Sequence, residues 1–291
     1  MHALNWGRIR RHGGRVLRAA AIGVFGPFVL PALLPALEAC SSNDTTGGQR
    51  VLLHTRIELA SETAASFDTG LGWHVTLDQA WIATGAFAYF DGVPPLTALR
   101  TAPARRANDD PLLRFLGTGV AYAHPGHYQA GNALGEMLEP SSVELLSGTS
   151  ELADGDGVTG IYRSARFTFG APPAGPFATE LDGHAAVVEG RGELDGEETR
   201  YFRAVADVAE LAQIQADGHI DGCPFEEVNV QADGSVTVRV TPSIWFSLVD
   251  FSALAPGSSE APSAFAPGTQ PRLAFADGLT QLSAYEFSYS K

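Results

Sequence analysis

Hydrophobic and polar residues alternate with a period of two along most of the chain after residue 50. In VLLHTRIEL (51–59), His54, Arg56 and Glu58 fall on one face and mainly apolar residues on the other. This alternation is typical of a strand with one buried and one solvated face. Segments of the same type are GWHVTLDQAWIATGAFAYF (72–90), SVELLSG (142–148), GIYRSARFTFG (160–170), HAAVVEGRGEL (184–194), TRYFRAVADV (199–208), FEEVNVQADGSVTVRVTPSIWF (225–246) and AYEFSYS (284–290).

Asp-Gly pairs separate several of these segments and predict tight turns. They occur in DGDG (154–157), LDGEE (194–198), ADGHIDG (216–222) and ADGS (232–235). A two-residue hairpin turn needs positive φ, which glycine adopts without strain. The segment NVQADGSVTVRV (229–240) therefore predicts the clearest hairpin in the chain.

Helical patterns are short and few. ALGEML (133–138) predicts one turn of helix, DVAELAQIQ (207–215) a short helix, and DFSALAPG (250–257) one more turn. Residues 93–111 and 255–271 are rich in Pro, Ala, Arg or Ser and predict long surface loops. Together these patterns predict an all-β fold: an antiparallel β-sandwich, immunoglobulin-like or jelly-roll-like, with long loops and one or two short helices.

The first forty residues have the order of a secretory signal. Five arginines precede the apolar run AAAIGVFGPFVLPALLPAL (19–37), and its three prolines argue against a membrane-spanning helix. The LEAC sequence that ends at Cys40 resembles the lipobox of a bacterial lipoprotein precursor, with matches at Leu37, Ala39 and Cys40. The resemblance implies cleavage before Cys40 and lipidation of its thiol and new amino terminus. The alternative is an ordinary signal peptide with an incidental cysteine.

The lipoprotein interpretation divides the chain into three parts: a signal peptide (1–39), a lipidated flexible tether (40–50) and a single β-sandwich domain (51–291). The mature region is similar to uncharacterised secreted lipoproteins of Gram-negative bacteria, a resemblance that implies a compartment and no activity. Acyl chains anchor a protein by hydrophobic burial. We therefore expect an exported protein held by its lipid to the cell envelope, at the periplasmic face or the cell surface.

Charge narrows the class of partner. Removal of residues 1–39 takes away five arginines and Glu38, which changes the formal net charge from −14 to −18. Such a surface repels phosphate backbones, so nucleic acid is excluded as a partner. Metal cations, or simple solubility, fit the charge better.

Two histidines, His124 and His127, flank a Pro-Gly turn in AHPGHY. Neutral imidazole is a common ligand of transition metals, and two rings on one tight turn can converge on one ion. His54, His74 and Glu136 are the further candidate ligands, and zinc or copper is the expected metal. The alternative is a rigid surface turn with solvated histidines and Tyr128 packed into the core.

Other residues leave alternatives open. Cys223 is the one thiol left after lipidation, and is either buried and inert, a metal ligand or reactive. Asp154 and Asp156 begin like a calcium loop, but the oxygen ligands required further along are missing, which favours a hairpin turn. Aromatic residues at strand spacing fit a core better than a sugar or peptide groove; they are Trp73, Trp81, Phe87, Tyr89, Phe90, Trp245 and Phe246.

The sequence contains no H-E-x-x-H, G-x-S-x-G, phosphate-loop or C-x-x-C motif. We therefore expect a non-enzymatic binding protein, with zinc or copper as the sharpest candidate ligand. The alternative is a partner-binding, carbohydrate-binding or structural envelope module without a metal site.

Overall fold

The computed structural model describes residues 48–95, 128–215 and 218–291. The strands in this part of the chain are β1 (Arg50–Leu59), β2 (Ser66–Asp68), β3 (His74–Thr84), β4 (Phe87–Phe90), β5 (Ala133–Met137), β6 (Ser141–Glu144), β7 (Ser150–Glu151), β8 (Gly155–Val158), β9 (Gly160–Thr168), β10 (Ala186–Glu193), β11 (Arg200–Ala206), β12 (His219–Val230), β13 (Gly234–Val240), β14 (Ser263–Ala264) and β15 (Tyr285–Ser290). The α-helices are α1 (Ala178–Leu181), α2 (Val208–Ile214), α3 (Pro242–Trp245) and α4 (Gln270–Leu279). Single 3-10 turns cover Glu62–Ala65, Leu145–Ser147, Phe251–Ala253 and Leu282–Ala284.

The larger sheet closes on itself as an eight-stranded barrel. Its strands follow the order β13-β15-β12-β9-β4-β5-β8-β1, and β1 pairs back to β13. Most neighbours are antiparallel, but β1–β13 and β12–β15 are parallel. Strand β7 adds to β1 beyond the end of β8.

The second sheet is smaller and is connected to the barrel by the chain segment that runs from β3 to β4. Its order is β14-β11-β10-β3-β2, and β6 also pairs with β3. The chain leaves β3, turns at Gly85 and enters the barrel as β4. Hydrogen bonds from the Gly85 amide to the Thr168 carbonyl (2.7 Å) and from the Gly170 amide to the Ala83 carbonyl (3.0 Å) join the two sheets at this corner.

One hydrophobic core fills the barrel and extends under the smaller sheet. Inside the barrel, the ring of Phe287 lies 5.8–6.1 Å from the rings of Phe87, Tyr89 and Phe225. The inner face of the smaller sheet packs on Phe246, which directly follows α3, through Phe202 of β11 (ring centroids 5.3 Å apart), and Phe246 in turn packs on Phe275 of α4 at 5.0 Å. Aromatic rings therefore occupy the barrel interior, and groups that meet solvent lie on its outer face and ends.

A buried ion-pair network fixes the helices beside this core. Arg272 of α4 is 5% exposed. Its Nε donates to both carboxylate oxygens of Glu210 (2.9 and 3.1 Å) and its Nη2 to Asp207 Oδ2 (2.8 Å). The same two carboxylates form the capping box of α2, and Asp207 also pairs with His184 Nδ1 at 2.6 Å. A buried guanidinium requires such partners, because an unpaired buried charge is strongly destabilising.

The mostly β content with few short helices is confirmed. Every segment with period-two alternation contains a strand, the helix at 207–215 is α2, the turn at 250–257 is a 3-10 turn, and Asp195-Gly196 connects the antiparallel pair β10–β11. The loop at 93–111 lies almost entirely outside the described residues. The loop at 255–271 is interrupted by β14 and by the start of α4.

The expected sandwich is not what the larger sheet forms. Alternation shows that one face of each strand is buried, but a sheet can bury that face against a second sheet or by curling closed. The parallel pairing of β1 with β13 closes the larger sheet into a barrel. The predicted hairpin at 229–240 is also wrong, because β15 lies between β12 and β13 and pairs with both.

The helix predicted at 133–138 is strand β5. Gly135 pairs with Gly157 of β8, and a Cβ at Gly135 would lie 2.8 Å from the Asp156 carbonyl oxygen. A Cβ at Gly157 would lie 2.7 Å from the Tyr162 hydroxyl. Close backbone approach beside a core tyrosine therefore outweighs the helical preference of the surrounding residues.

Phe287→Ala is expected to lower the free energy of unfolding by about 3–5 kcal/mol, because it opens a cavity among three aromatic rings. Glu286→Ala, at the neighbouring exposed position, is the matched control and should change stability by less than about 0.5 kcal/mol. Urea denaturation of both variants measures the difference. Equal losses in the two variants would contradict the placement of Phe287 in the barrel core.

Candidate functional site

The structure places the described metal-ligand candidates at two separate locations. His54 lies on the outer face of β1, where its Nδ1 is 2.8 Å from Asp154 Oδ1. Glu136 lies exposed in β5 of the same barrel. His74 belongs to β3 of the smaller sheet. Within the described residues there is no group of three or more His, Cys, Asp or Glu side chains that could hold a metal ion.

His124 and His127 lie outside the described residues, but the residue that follows them is well anchored. The Tyr128 hydroxyl is 2.6 Å from Ser164 Oγ. Ser164 donates its own proton to the Gly92 carbonyl oxygen at 2.6 Å, so Tyr128 donates to Ser164. Burial raises the pKa of Tyr128, and the Ser164 hydrogen bond opposes this rise. The half-buried Tyr128 thus holds the chain against β9 one residue after His127.

Charged and polar residues surround this anchor in a cluster that we call the β9 rim. It consists of Asp91, Tyr128, Ser164, Arg166 and Asp221, of which Ser164 is buried. Arg166 Nε donates to Asp221 Oδ1 at 2.6 Å. The Asp91 carboxylate accepts from the Asn132 amide (2.7 Å) and from Asn132 Nδ2 (2.8 Å). The Asp91–Asn132 bonds join the end of β4 to the start of β5, and the Arg166–Asp221 bond joins β9 to β12.

A second arrangement lies on the β2–β3 hairpin and includes the predicted residue His74. Its Nδ1 is 2.8 Å from Asp68 Oδ1, and its Nε2 is 3.0 Å from Ser66 Oγ. A carboxylate, an imidazole and a serine hydroxyl are therefore joined in one hydrogen-bonded chain. Alternation places them: Phe67 and Val75 point inward, and their neighbours on both strands point outward.

The turn of this hairpin fixes the register that brings the three side chains together. Thr69 bonds through its amide to the Trp73 carbonyl (2.8 Å) and through its hydroxyl to the Trp73 amide (3.1 Å). Gly72 takes φ +86°, which favours glycine. Asp68 then pairs directly with His74 and Ser66 with Thr76. Sequence reasoning identified His74 but not its partners, because the short strand β2 shows too little alternation to reveal its register.

The aromatic residues considered for a binding groove lie mainly in the core. Trp73, Trp245, Phe87, Tyr89 and Phe246 are each at most 2% exposed. Trp81 is partly buried on the outer face of the smaller sheet, near Val205. These rings therefore stabilise the fold and do not line a sugar groove.

The acidic segment at 154–157 is also different from the expected hairpin turn. Gly155, Asp156 and Gly157 lie in β8, which pairs with β1 and β5. Asp156 stands opposite Glu136, and Asp154 pairs with His54. The Asp-Gly pattern here serves strand packing, because Gly155 and Gly157 leave room for neighbouring backbone and side chains.

No protein-family model matches this chain, and no curated protein or solved structure is significantly similar to it. Among the described residues, no helix has the length and apolar character needed to cross a membrane.

Cys223 is buried, as in the first of the three alternatives that the sequence leaves open. It is 0% exposed, its Sγ donates to the Ile220 carbonyl at 3.3 Å, and burial raises the pKa of the thiol. The thiolate is the reactive form of cysteine. A raised pKa and a closed environment both oppose reaction with electrophiles.

In a mature chain with Cys40→Ser, Cys223 is the single thiol. We expect no reaction with dithionitrobenzoate while the protein is folded at mildly alkaline pH, and one thiol per chain after unfolding in guanidinium chloride. Absorbance of the released thionitrobenzoate measures both. Fast reaction of the folded chain would show that Cys223 is accessible.

Proposed function

We propose that this chain is an exported lipoprotein, anchored to the cell envelope through Cys40, that binds zinc or copper through His124 and His127. The observation that supports the proposal most directly is the anchoring of Tyr128 on the β9 rim. Tyr128, which follows His127 in the sequence, is hydrogen-bonded to Ser164 of β9. In this proposal, the fixed position of Tyr128 lowers the entropic cost of placing the neighbouring His127 at a bound ion.

The charge of the mature chain favours the same ligand class. A formal net charge of −18 attracts cations and repels anionic ligands. The rim supplies carboxylates near the anchor, although Asp221 is paired with Arg166 and Asp91 with Asn132. Further ligands would come from side chains that join the two histidines when the metal binds. In this proposal the protein binds the ion without converting a substrate.

Removal of both imidazoles should weaken metal binding strongly. We expect the tag-free mature chain to bind zinc or cupric ion, and His124→Ala/His127→Ala to lower the affinity by more than about tenfold, because two ligands are lost. Isothermal titration with each metal, together with elemental analysis of the purified protein, measures the effect. His219→Ala, at a histidine bonded to Thr168, is the control for loss of a histidine elsewhere.

Equal, near-zero metal content in the wild type and the double variant would contradict the metal site. Unchanged affinity in the double variant would place any metal elsewhere. His54→Ala, His74→Ala and Glu136→Gln, tested singly, then identify whether one of these residues is a further ligand.

A partner-binding envelope module is the second candidate function. The observation that favours it is a set of exposed leucines on neighbouring segments: Leu71, Leu248 and Leu273 are 48–58% exposed. The Gly70 amide donates to the Ser247 carbonyl, and Gln270 donates to the Leu248 carbonyl, so these segments are directly connected. Apolar side chains that gather on a surface mark interaction sites when they form a continuous patch.

The lipid anchor has its own test, with a matched control in the same chain. The chain contains two cysteines, Cys40 and Cys223. We expect Cys40→Ser to abolish incorporation of labelled palmitate in bacterial cells and Cys223→Ser to leave it intact, because the lipobox resemblance concerns Cys40. Mass spectrometry of the mature amino terminus should show a diacylglyceryl-modified Cys40. Label retained in Cys40→Ser, or an unmodified amino terminus, would refute the anchor.

A further inference from the structure

We propose that the β2–β3 hairpin carries an ester-hydrolysing site in which Ser66 is the nucleophile, His74 the general base and Asp68 the carboxylate that orients the imidazole. The site is independent of the proposed metal site at His124 and His127. It follows from the hydrogen-bonded chain Asp68–His74–Ser66, with distances of 2.8 and 3.0 Å. Activated serine nucleophiles are recognised by this geometry and these roles, whatever the order of the residues along the chain.

The hydrogen-bond pattern assigns the tautomer. An ionised carboxylate accepts hydrogen bonds and cannot donate them, so His74 Nδ1 carries a proton and donates to Asp68. In the neutral imidazole, His74 Nε2 is then the unprotonated nitrogen and accepts from the Ser66 hydroxyl. This is the protonation state in which imidazole can remove the serine proton during nucleophilic attack.

Comparison with the other histidines of the described residues separates this arrangement from an ordinary ion pair. His54 pairs with Asp154 at 2.8 Å, and His184 pairs with Asp207 at 2.6 Å. Of these three carboxylate-paired histidines in the described part of the chain, His74 is the one whose other ring nitrogen, Nε2, is hydrogen-bonded to a serine hydroxyl. The His54 pair has nearly the same imidazole exposure, 49% against 50%. It therefore provides an internal reference for the chemistry of an exposed histidine–aspartate pair.

The hairpin holds the three groups on a firm base. Trp73, next to His74, is buried and packs against Phe251 with ring centroids 5.5 Å apart. Phe67, between Ser66 and Asp68, packs against Phe246 at 6.0 Å. Both strands therefore anchor their inward side chains in the core and present the three polar groups outward.

The side chains near His74 indicate the class of substrate. A cavity of about 360 Å³ lies on the Glu193 side of His74; it is lined by Gly72, His74, Glu193, Leu194 and Asp195, and not by Ser66 or Asp68. Two carboxylates beside one leucine repel anions and accept a small uncharged or cationic group. We therefore assign small uncharged or cationic carboxylic esters as substrates.

The reaction balances without any further reagent except water. Ser66 Oγ bonds to the ester carbonyl carbon while its proton moves to His74 Nε2. The carbon–oxygen bond to the leaving group breaks, and the departing oxygen takes that proton. Water then attacks the acyl–Ser66 ester with His74 again as base, which releases the carboxylic acid and restores the hydroxyl. Because Asp68 is 81% exposed and His74 50% exposed, solvent competes for these hydrogen bonds and the turnover should be modest.

Covalent labelling tests the nucleophile directly. An uncharged fluorophosphonate, added to the full mature chain in the presence of EDTA, should form a phosphonyl ester with Ser66 and release fluoride. Peptide mass spectrometry locates the label. We expect Ser66→Ala to lose it and His74→Ala and Asp68→Asn to form it at least about tenfold more slowly, because the base is absent or misoriented.

Asp154→Asn is the matched control, since it removes the equivalent carboxylate from the His54 pair. Its labelling rate should equal that of the wild type. Circular dichroism and urea denaturation establish that each variant is folded. Burst kinetics with p-nitrophenyl acetate should show one acyl group per chain, lost in Ser66→Ala.

Three results would overturn the proposal: no label on Ser66, labelling of Ser66 at an unchanged rate in His74→Ala, or ester hydrolysis that is unchanged in Ser66→Ala. The last result would assign the hydrolysis to free imidazole chemistry. Each of these outcomes leaves the metal proposal untouched, because that proposal rests on metal affinity at His124 and His127.

Discussion

The parallel pairing of β1 with β13 is the constraint on which the fold depends. Seven residue pairs, from Leu53–Gly234 to Leu59–Val240, join the first described strand to one near the carboxyl end. Without this pairing, the sheet would present two open edges with unsatisfied backbone groups. With this pairing the barrel is closed. Leu53 and Ile57 then face the aromatic interior, and the barrel core is complete.

This closure also explains why β15 lies where it does. The connection between β12 and β13 is only three residues long, yet β15 is inserted between these strands. Tyr289 of β15 donates to the carbonyl of Ala232 (2.8 Å), and the Gly234 position leaves room for its ring, since a Cβ there would lie 2.5 Å from it. The Asp233-Gly234 pair is a strong hairpin pattern, but here its glycine serves contact with the last strand of the chain.

Sequence reasoning therefore succeeded for local structure and failed for pairing. Alternation located β1, β9 and β10 because the buried face of each strand is written into its own residues. It could not show that β13 meets β1 in parallel, since pairing over about 180 residues leaves no periodic trace in either strand. Helix α4 was missed for a related reason: Arg272 is a charged residue at a buried position, and its partners Glu210 and Asp207 lie far away in sequence.

The same distinction applies to the chemistry. His74 is identifiable as an outward histidine on a strand, and from that alone a metal ligand is as reasonable as a general base. The two interpretations differ in the groups that are hydrogen-bonded to Nδ1 and Nε2. The register of the β2–β3 hairpin places Asp68 and Ser66 at these two nitrogens. A carboxylate on one ring nitrogen and a hydroxyl on the other leave neither nitrogen free for an ion unless the Ser66 bond is broken. In this state the geometry at His74 favours proton transfer over metal ligation.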